Sequence, residues 1–342
     1  MLTSKDLALP KGSRVLVTGA NGYIASHVVD QLLKLGYIVR GTVRTPKPWL
    51  DEYFQQKYGD NVFETAVVTT FENQDGIDGV LGDVDGIVHA ASDVTWNPDP
   101  ENVIPWVVKA TTNILEAAAK RSAVKRVVLV SSSSASFLSI PCPEGRVIDE
   151  KSWNDEAVRA AWDQSTPSKI KGFIVYGASK TEGERQAWKW VEEHQPHYTF
   201  NTVLPCFNVG KILHPEIFGS TMGHVRKLLS GDASATALFL DQWFVDVEDV
   251  ARLCVVGTLD REVNSERIFA FGEQTNWIEV VSILRELRPN NKLISDPIGE
   301  FVRDRTEVVP KKRAEELLRR FYKQPGFITL RDSLEMGIEG LE

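Results

Sequence analysis

Short apolar runs alternate with amphipathic stretches over the first two-thirds of the chain. The apolar runs have the length of buried strands, and residues 14–18 (RVLVT) form the first of them. The next stretch has apolar residues at helical spacing up to Gly36, which predicts a helix and its end. A helix from about residue 104 to 121 is also predicted. Further strands are predicted at 37–43, 63–68, 86–90, 126–131 and 198–204.

This alternation predicts an α/β fold with a Rossmann-type, doubly wound parallel sheet that helices cover on both faces. Such sheets bind ligands at the carboxyl ends of their strands. After Pro205 the pattern loosens, and we expect a smaller C-terminal substrate lobe, interrupted by a return to the nucleotide domain. The predicted division is 1–205 plus about 243–275 for the Rossmann domain, and about 206–242 plus 276–342 for the smaller lobe.

Three elements are predicted in the last third of the chain. Residues 267–271 form a strand that returns to the main sheet, and residues 277–287 form a helix. Residues 310–321 form a basic amphipathic helix, with Pro310 at its start.

A glycine turn joins the first strand to the first helix. Gly19, Gly22 and Ala25 have the spacing G-x-x-G-x-x-A. The glycines allow close approach of the backbone, and the helix N-terminus attracts the pyrophosphate of a dinucleotide. A plain strand-to-helix connection is the alternative, but the position between a buried strand and an amphipathic helix favours a dinucleotide. The expected cofactor contacts in this turn are Gly19, Asn21, Gly22, Tyr23 and Ile24.

The end of the second strand favours NADP(H) over NAD(H). An NAD site commonly carries an acid about 20 residues beyond the turn, but this chain has none before Asp51. A guanidinium suits the geometry of a 2′-phosphate, so Arg44 is the predicted contact. Lys47 is a second candidate, for which a solvated loop lysine is the alternative interpretation.

A tyrosine and a lysine lie four residues apart in the segment YGASK (176–180). On a helix this spacing places Tyr176 and Lys180 on one face. A neighbouring ammonium favours the phenolate, so Tyr176 could give a proton to a carbonyl oxygen and recover it near neutral pH. The spacing alone is weak evidence. Behind the glycine turn and a serine-rich strand end, it indicates a carbonyl reductase.

Four consecutive serines, 131–134, follow the fifth strand. A polar strand end is the ordinary interpretation. Alternatively, one hydroxyl hydrogen-bonds a substrate carbonyl while Tyr176 donates its proton. Lys180 would then bias Tyr176 and hold the cofactor ribose, and the hydride would come from the nicotinamide.

Composition narrows the class of protein further. The 342 residues carry a net charge of −8, which disfavours nucleic acid or an anionic membrane as a partner. The three cysteines are widely spaced without a metal-ligand pattern, so no metal is expected, and their sparse, odd number fits a reducing compartment. No run approaches the ~18 apolar residues that span a bilayer. We therefore expect a cytoplasmic protein, monomeric or homodimeric.

The motifs together resemble those of extended short-chain dehydrogenases/reductases, in the subgroup of plant dihydroflavonol reductases and yeast NADPH-dependent carbonyl reductases. They extend over almost the whole chain. The matching segments are VTGANGYIASH (17–27), VRGTVR (39–44), VHAAS (88–92), NILEAA (113–118), VKRVVLVSSS (124–133), DEKSW (149–153), YGASKTEGE (176–184), VLPCFNVG (203–210) and FVDVEDVA (244–251).

The resemblance implies a catalytic set of Ser132, Tyr176 and Lys180, with Ser133 as the second choice of serine. It also implies that the segment after Pro205 cradles the nicotinamide and that the smaller lobe closes over the cofactor. Besides the glycine turn and the catalytic pair, the expected cofactor contacts are His89, Ala90, Ala91, Pro205, Phe207, Asn208, Val209, Ser220 and Thr221.

The sequence departs from the family pattern in two places. Members usually carry an acid after the third strand, in contact with adenine, where this chain has Thr69 and Thr70. The N-W-Y-C-like stretch of cinnamoyl-CoA reductases is missing before Tyr176, which disfavours a CoA thioester as substrate.

Aromatic residues are frequent where the substrate pocket is expected, and the chain has nine tryptophans. Such side chains line apolar small-molecule sites, although core packing explains any single one equally well. The predicted substrate contacts are Trp96, Ser133, Phe137, Trp162, Gln242 and Trp243.

The leading hypothesis is NADPH-dependent reduction of ketones or aldehydes, with bulky or aromatic substrates favoured and Tyr176 as proton donor. One alternative is a hydroxysteroid or sugar-nucleotide dehydrogenase or epimerase of the same superfamily. It ranks lower because a second pyrophosphate needs basic groups where this chain has aromatic ones. The other alternative is a non-catalytic NADP(H)-sensing regulator, which typically lacks the tyrosine that is present here.

Overall fold

The computed structural model describes residues 6–239, 242–299 and 301–342, without the side chain of Gln242. The strands are β1 Arg14–Thr18, β2 Ile38–Val43, β3 Phe63–Val67, β4 Gly86–His89, β5 Arg126–Val130, β6 Val147–Ile148, β7 Thr199–Pro205, β8 Phe207–Val209, β9 Gln242–Asp246, β10 Arg267–Ala270, β11 Glu273–Thr275 and β12 Glu307–Val308. The helices are α1 Tyr23–Lys34, α2 Pro48–Tyr58, α3 Gln74–Asp78, α4 Pro100–Ala119, α5 Asp155–Trp162, α6 Ser168–His194, α7 Ser220–Leu228, α8 Val247–Leu259, α9 Trp277–Leu287, α10 Lys311–Tyr322 and α11 Leu330–Gly337.

Seven of these strands form one parallel sheet in the order β10-β7-β5-β4-β1-β2-β3. The central strands are apolar and buried on both faces, as a parallel sheet between helical layers requires. Strand β1 pairs with β2 on one side and with β4 on the other, so the strand order reverses there. The predicted α/β, Rossmann-type fold is confirmed, and the reversal marks the expected ligand edge.

The elements predicted in the last third agree with the structure. Helix α9 has the predicted bounds, and β10 pairs with β7 in the main sheet. Helix α10 begins one residue after Pro310. Helix α4, in contrast, begins at Pro100 rather than near residue 104, because the Asp99 side chain accepts a hydrogen bond from the N–H of Glu101 and caps the helix earlier.

A second, three-stranded sheet lies beyond the main sheet. In it β9 pairs parallel to β8 and antiparallel to β11. Its core is formed mainly by side chains from this sheet and from α7, α9 and α11. Helix α10 instead buries Ala314, Leu317 and Leu318 in the core of the seven-stranded sheet. The predicted division into two lobes remains a prediction.

Within the described ranges, no helix combines the length and the apolar character needed to cross a membrane.

Candidate active site

The glycine turn leaves no room for side chains. Gly19 has a φ of +68°, and a Cβ there would lie 3.3 Å from the α-carbon of Ala91. The Gly19 N–H donates to Oγ1 of Thr42 at 3.1 Å, which ties the turn to β2. Gly22 directly precedes α1 and has no side chain to cap it; a Cβ there would lie 3.0 Å from the Gly19 carbonyl oxygen. A bare helix N-terminus behind such a cradle fits a dinucleotide pyrophosphate.

Thr18 connects this turn to the end of β4. Its Oγ1 accepts hydrogen bonds from the N–H groups of Ala90 and Ala91, both at 3.0 Å. The hydroxyl therefore donates its hydrogen to Nδ1 of His89, at 2.9 Å. Burial, together with the charge of Lys180, lowers the pKa of His89 to about 3, so its imidazole is neutral. Thr18 is not among the predicted site residues, although its place directly before the glycine turn is a signal that the sequence offers.

The side chains at the start of α1 differ in where they point. Asn21 and Ile24 are partly buried at the turn. The Tyr23 side chain instead points into the core of the smaller sheet, and its hydroxyl donates to the carbonyl of Gly210 at 2.8 Å. Burial raises the pKa of Tyr23 well above its usual range, and the nearby Asp246 adds to this. Only the backbone of Tyr23 is therefore suited to contact a cofactor.

Two cations lie at the same edge of the sheet as the glycine turn. Arg44 follows β2 directly and is exposed, and Lys47 precedes α2 and is partly buried. Since Gly41 of β2 is level with Val17 of β1, the ends of both strands meet at this edge. The placement suits a contact with a 2′-phosphate, and both assignments remain predictions.

The four serines after β5 have different partners. Ser131 donates its hydroxyl to the Glu184 carboxylate at 2.8 Å, and both side chains are buried. The Ser132 hydroxyl accepts a hydrogen bond from the N–H of Ser134 at 3.2 Å, and it lies close enough to the Tyr176 phenol to lower the pKa of that phenol. Ser133 begins a short 3₁₀ helix and is buried. This place beside the phenol fits the choice of Ser132 over Ser133, and the catalytic serine remains a prediction.

Helix α6 places Lys180 next to Tyr176, as the spacing predicts. The Lys180 Nζ lies 5.9 Å from the centroid of the Tyr176 ring and donates to the carbonyl of Val130 at 3.3 Å. Burial lowers the pKa of Lys180 to about 8, and the charge of Glu184 opposes this. The three predicted catalytic side chains thus all lie near the end of β5.

The protonation of Tyr176 differs from the sequence-based expectation. We expected the ammonium of Lys180 to favour the phenolate, but burial is the largest influence and raises the pKa of Tyr176. The hydrogen bond with Ser132 lowers it in part. The ammonium is directed to a backbone carbonyl, and the half-buried phenol stays protonated near neutral pH.

The segment after β7 contains an unpaired acceptor. Pro205 ends β7, and Phe207–Val209 form β8. The buried Oδ1 of Asn208 has no hydrogen-bond partner in the described part of the chain, whereas the Thr221 hydroxyl donates to the Asn208 carbonyl. Ser220 begins α7 with a φ of +44°. An orphaned acceptor of this kind fits the amide N–H of a nicotinamide.

An aromatic cluster centred on Trp96 lies beside Tyr176. The Trp96 ring centroid lies 4.9 Å from that of Tyr176, and Phe173 stacks on Trp96 at 6.1 Å. Phe239 meets Trp96 edge-on, at 5.9 Å between ring centroids. The sequence analysis predicted Trp96 but missed Phe173 and Phe239. The spacing of three residues between Phe173 and Tyr176 on one helix was the available signal.

The other predicted aromatic substrate residues lie outside the group of rings next to Tyr176. Phe137 and Trp243 both pack against Phe271, at 6.2 and 6.0 Å between ring centroids, within or against the core of the main sheet. Trp162 is half-exposed at the end of α5. The side chain of Gln242 falls outside the described residues. Substrate contacts at these positions remain predictions.

Residues 15–270 match the NAD dependent epimerase/dehydratase family. The chain therefore belongs to this family, the extended short-chain dehydrogenases/reductases, as the motifs predicted. The predicted oxidoreductase class is confirmed, with action on carbonyl or CH–OH groups and a nicotinamide cofactor.

Individual relatives are similar over most of their length. The ketoreductase nvfG of Aspergillus novofumigatus is 45% identical, over 98% of this chain and 99% of that protein. Aldehyde reductase 2 of Sporidiobolus salmonicolor is 39% identical, over 85% and 86%. The crystal structure of the yeast methylglyoxal/isovaleraldehyde reductase Gre2, complexed with NADPH, has a TM-score of 0.76 at 25% identity and covers 95% of this chain and 96% of that one.

Proposed function

We propose that this protein reduces ketones or aldehydes to alcohols with NADPH, and that it favours bulky or aromatic carbonyl substrates. The observation that carries this proposal is the convergence of Ser132, Tyr176 and Lys180 at the edge of the sheet that holds the glycine turn. The ketoreductase and aldehyde reductase named above support the reaction type.

The residues around this edge fit NADPH. The turn at Gly19 and Gly22 would receive the pyrophosphate, and Arg44 with Lys47 would receive the 2′-phosphate. The orphaned Oδ1 of Asn208 would accept from the carboxamide. When bound, this cofactor supplies the hydride that the carbonyl carbon accepts.

Tyr176 supplies the proton in this proposal. As a neutral phenol it donates to the carbonyl oxygen while the carbon gains a C–H bond, so the C=O group becomes CH–OH. The Ser132 hydroxyl hydrogen-bonds the same oxygen and orients it. The tyrosinate that remains is stabilised by the Ser132 hydrogen bond and by the nearby ammonium of Lys180, and it recovers a proton from solvent.

The aromatic rings support the proposed substrate class. Trp96 and Phe173 stack beside Tyr176, and Phe239 faces them. His224 packs against Phe239 at 5.3 Å, and burial lowers its pKa, so it adds no charge at neutral pH. Flat apolar walls favour a bulky or aromatic ketone, whereas a sugar nucleotide needs cations for its pyrophosphate.

An absorbance assay of NADPH oxidation tests the proposal directly. The panel contains aryl ketones, small aliphatic ketones, aldehydes, a hydroxysteroid substrate in its keto form and a nucleotide sugar. We expect turnover with carbonyl compounds, highest for the aryl ketones, and loss of turnover in Tyr176→Phe. NADPH binding without turnover of any carbonyl would indicate a sensing regulator. Conversion of the nucleotide sugar alone would indicate an epimerase.

A further inference from the structure

A buried carboxylate lies one helical turn beyond the catalytic lysine. Tyr176, Lys180 and Glu184 are spaced at intervals of four on α6, so they follow one another along one face of the helix. Glu184 is 1% exposed, and it lines one small cavity together with Lys180 and Ser131. The proposed mechanism assigns no role to this carboxylate.

Glu184 accepts hydrogen bonds from side chains on α6, β7 and β10 and from Ser131, which directly follows β5. Its Oε2 accepts from the Ser131 hydroxyl after β5 at 2.8 Å. Its Oε1 accepts from the Thr202 hydroxyl on β7 at 2.8 Å and from the Trp188 ring N–H on α6 at 3.3 Å. Arg267 on β10 forms an ion pair with the same carboxylate at 2.8 Å. The carboxylate therefore joins α6 to the residue that directly follows β5 and precedes Ser132.

Arg267 also contacts the segment that contains Trp153. It donates to the carbonyls of Glu150 and Ser152 at 2.7 and 2.9 Å, and its guanidinium lies 3.9 Å from the Trp153 ring centroid. The side chains of the ion pair are 8% and 0% exposed. Well-packed apolar residues often stabilise a fold as well as a buried ion pair does. Stability alone is therefore a weak reason for the buried charges of Glu184 and Arg267.

We propose that Glu184 is a positioning residue for the reaction: its carboxylate is the counter-charge of the Lys180 ammonium, and through Ser131 it fixes the strand end that presents Ser132. This inference rests on the proposed function, because it assigns the charge of Lys180 a part in that reaction. The hydrogen bond to Ser131 places the carboxylate one residue away from the catalytic serine.

The surroundings of Lys180 make this counter-charge important. In the described part of the chain, the titratable and charged groups next to Lys180 are Tyr176 and Glu184 from α6 and His89 from β4, and Arg267 from β10 forms an ion pair with Glu184. His89 and Tyr176 are neutral near pH 7. Burial lowers the pKa of Lys180 to about 8, and Glu184 opposes that shift. Removal of the carboxylate therefore deprotonates Lys180 at lower pH.

Two substitutions test this proposal, because they should shift the titration midpoint of Lys180 in opposite directions. Glu184→Gln removes the negative charge, so the titration midpoint of Lys180 is expected to fall by about one pH unit or more. Arg267→Gln removes the competing cation, so the midpoint is expected to rise. Thr202→Val is the matched control, because it removes one hydrogen bond to the same carboxylate without a change of charge, and it should leave the midpoint near the wild-type value.

The Lys180 midpoint is read without turnover, by NMR of protein labelled with ¹³C-lysine, with the resonance assigned by its loss in Lys180→Met. In parallel, the pH dependence of kcat for ketone reduction should show its alkaline limit shifted in the same direction as the midpoint. If Glu184→Gln does not fold, the Arg267→Gln shift decides the question. Unchanged Lys180 midpoints in the folded variants would overturn the proposal. Shifted midpoints in a protein without any ketone turnover would instead overturn the proposed function and support the counter-charge.

Discussion

The α-carbon of Gly172 lies directly against the backbone carbonyl of Trp96, so that a methyl group at position 172 would overlap this carbonyl oxygen. Trp96 has a left-handed backbone, with a φ of +58°, and its ring lies beside Tyr176. A glycine in the first turns of α6 thus sets the position of an aromatic ring at the proposed catalytic tyrosine.

We expect Gly172→Ala to displace Trp96 and to lower kcat/KM for bulky ketones severalfold, because a backbone carbonyl cannot move aside as a flexible side chain does. Gly82→Ala is the matched control, since Gly82 has open space around it and no left-handed backbone. Kinetics with a bulky and a small ketone measure the effect. Equal kinetics in the two variants would show that the contact does not position the ring.

Arg44→Asp is expected to reverse or abolish a preference for NADPH over NADH. A charge-assisted hydrogen bond contributes about 1.5–3 kcal/mol, so the ratio of kcat/KM values should fall about tenfold or more. Lys47→Ala is the comparison and should have a smaller effect. If the ratio hardly changes in Arg44→Asp, another residue recognises the phosphate.

Tyr176→Phe should bind NADPH normally and lose nearly all reductase activity, because it removes only the donated proton. A general acid typically contributes about 10² to 10⁴ in rate. Cofactor binding measured by fluorescence separates this loss from misfolding. Ser132→Ala should lose more activity than Ser133→Ala, since Ser132 is the serine that lowers the pKa of the phenol. Full activity in Tyr176→Phe would rule out the mechanism.

Trp243→Ala and Trp96→Ala should have different effects. Trp243 packs against Phe271, and the Lys311 ammonium lies over the Trp243 ring. We therefore expect Trp243→Ala to lower the melting temperature. Aromatic truncation typically lowers the free energy of unfolding by roughly 3–5 kcal/mol, and the loss here should be at or below the lower end of that range. Trp96→Ala should instead change the enantiomeric excess of the alcohol. A stably folded Trp243→Ala protein with altered enantiomeric excess would instead support the predicted substrate contact of Trp243.

Asp246→Asn should change how stability depends on pH. Burial, together with the charge of Asp249, raises the pKa of Asp246 from 3.8 to about 7. The folded protein therefore binds the Asp246 proton more tightly than the unfolded chain does. The protonated carboxyl stabilises the fold fully below about pH 4, and this stabilisation is lost as the pH rises through about 7. Asparagine keeps the cap on α8, where Asp246 accepts from the N–H of Glu248.

The measurement for this prediction is urea unfolding from pH 4 to 8. The wild-type slope should include up to about 1.4 kcal/mol per pH unit from this one group, and Asp246→Asn should lack that component. Identical slopes in both proteins would show that folding does not raise the pKa of Asp246.

The sequence by itself determined the sheet, the turn and the proposed catalytic pair, because each depends on local spacing. Buried strands and amphipathic helices alternate at fixed lengths, and the interval of four residues brings Lys180 beside Tyr176 wherever a helix forms. The same local rules predicted the strand at 267–271 and the helix at 277–287.

Only the tertiary structure decided which side chains surround that pair and how they are charged. Trp96 and Phe239 meet near Tyr176 across 142 intervening residues, and Glu184 meets Arg267 across 82. Burial reversed the expected direction of the Tyr176 pKa, since the desolvation of a phenol depends on everything packed around it. Such contacts between distant segments leave no periodic signal in a single sequence, and they exist only once the sheet has brought its strand ends together.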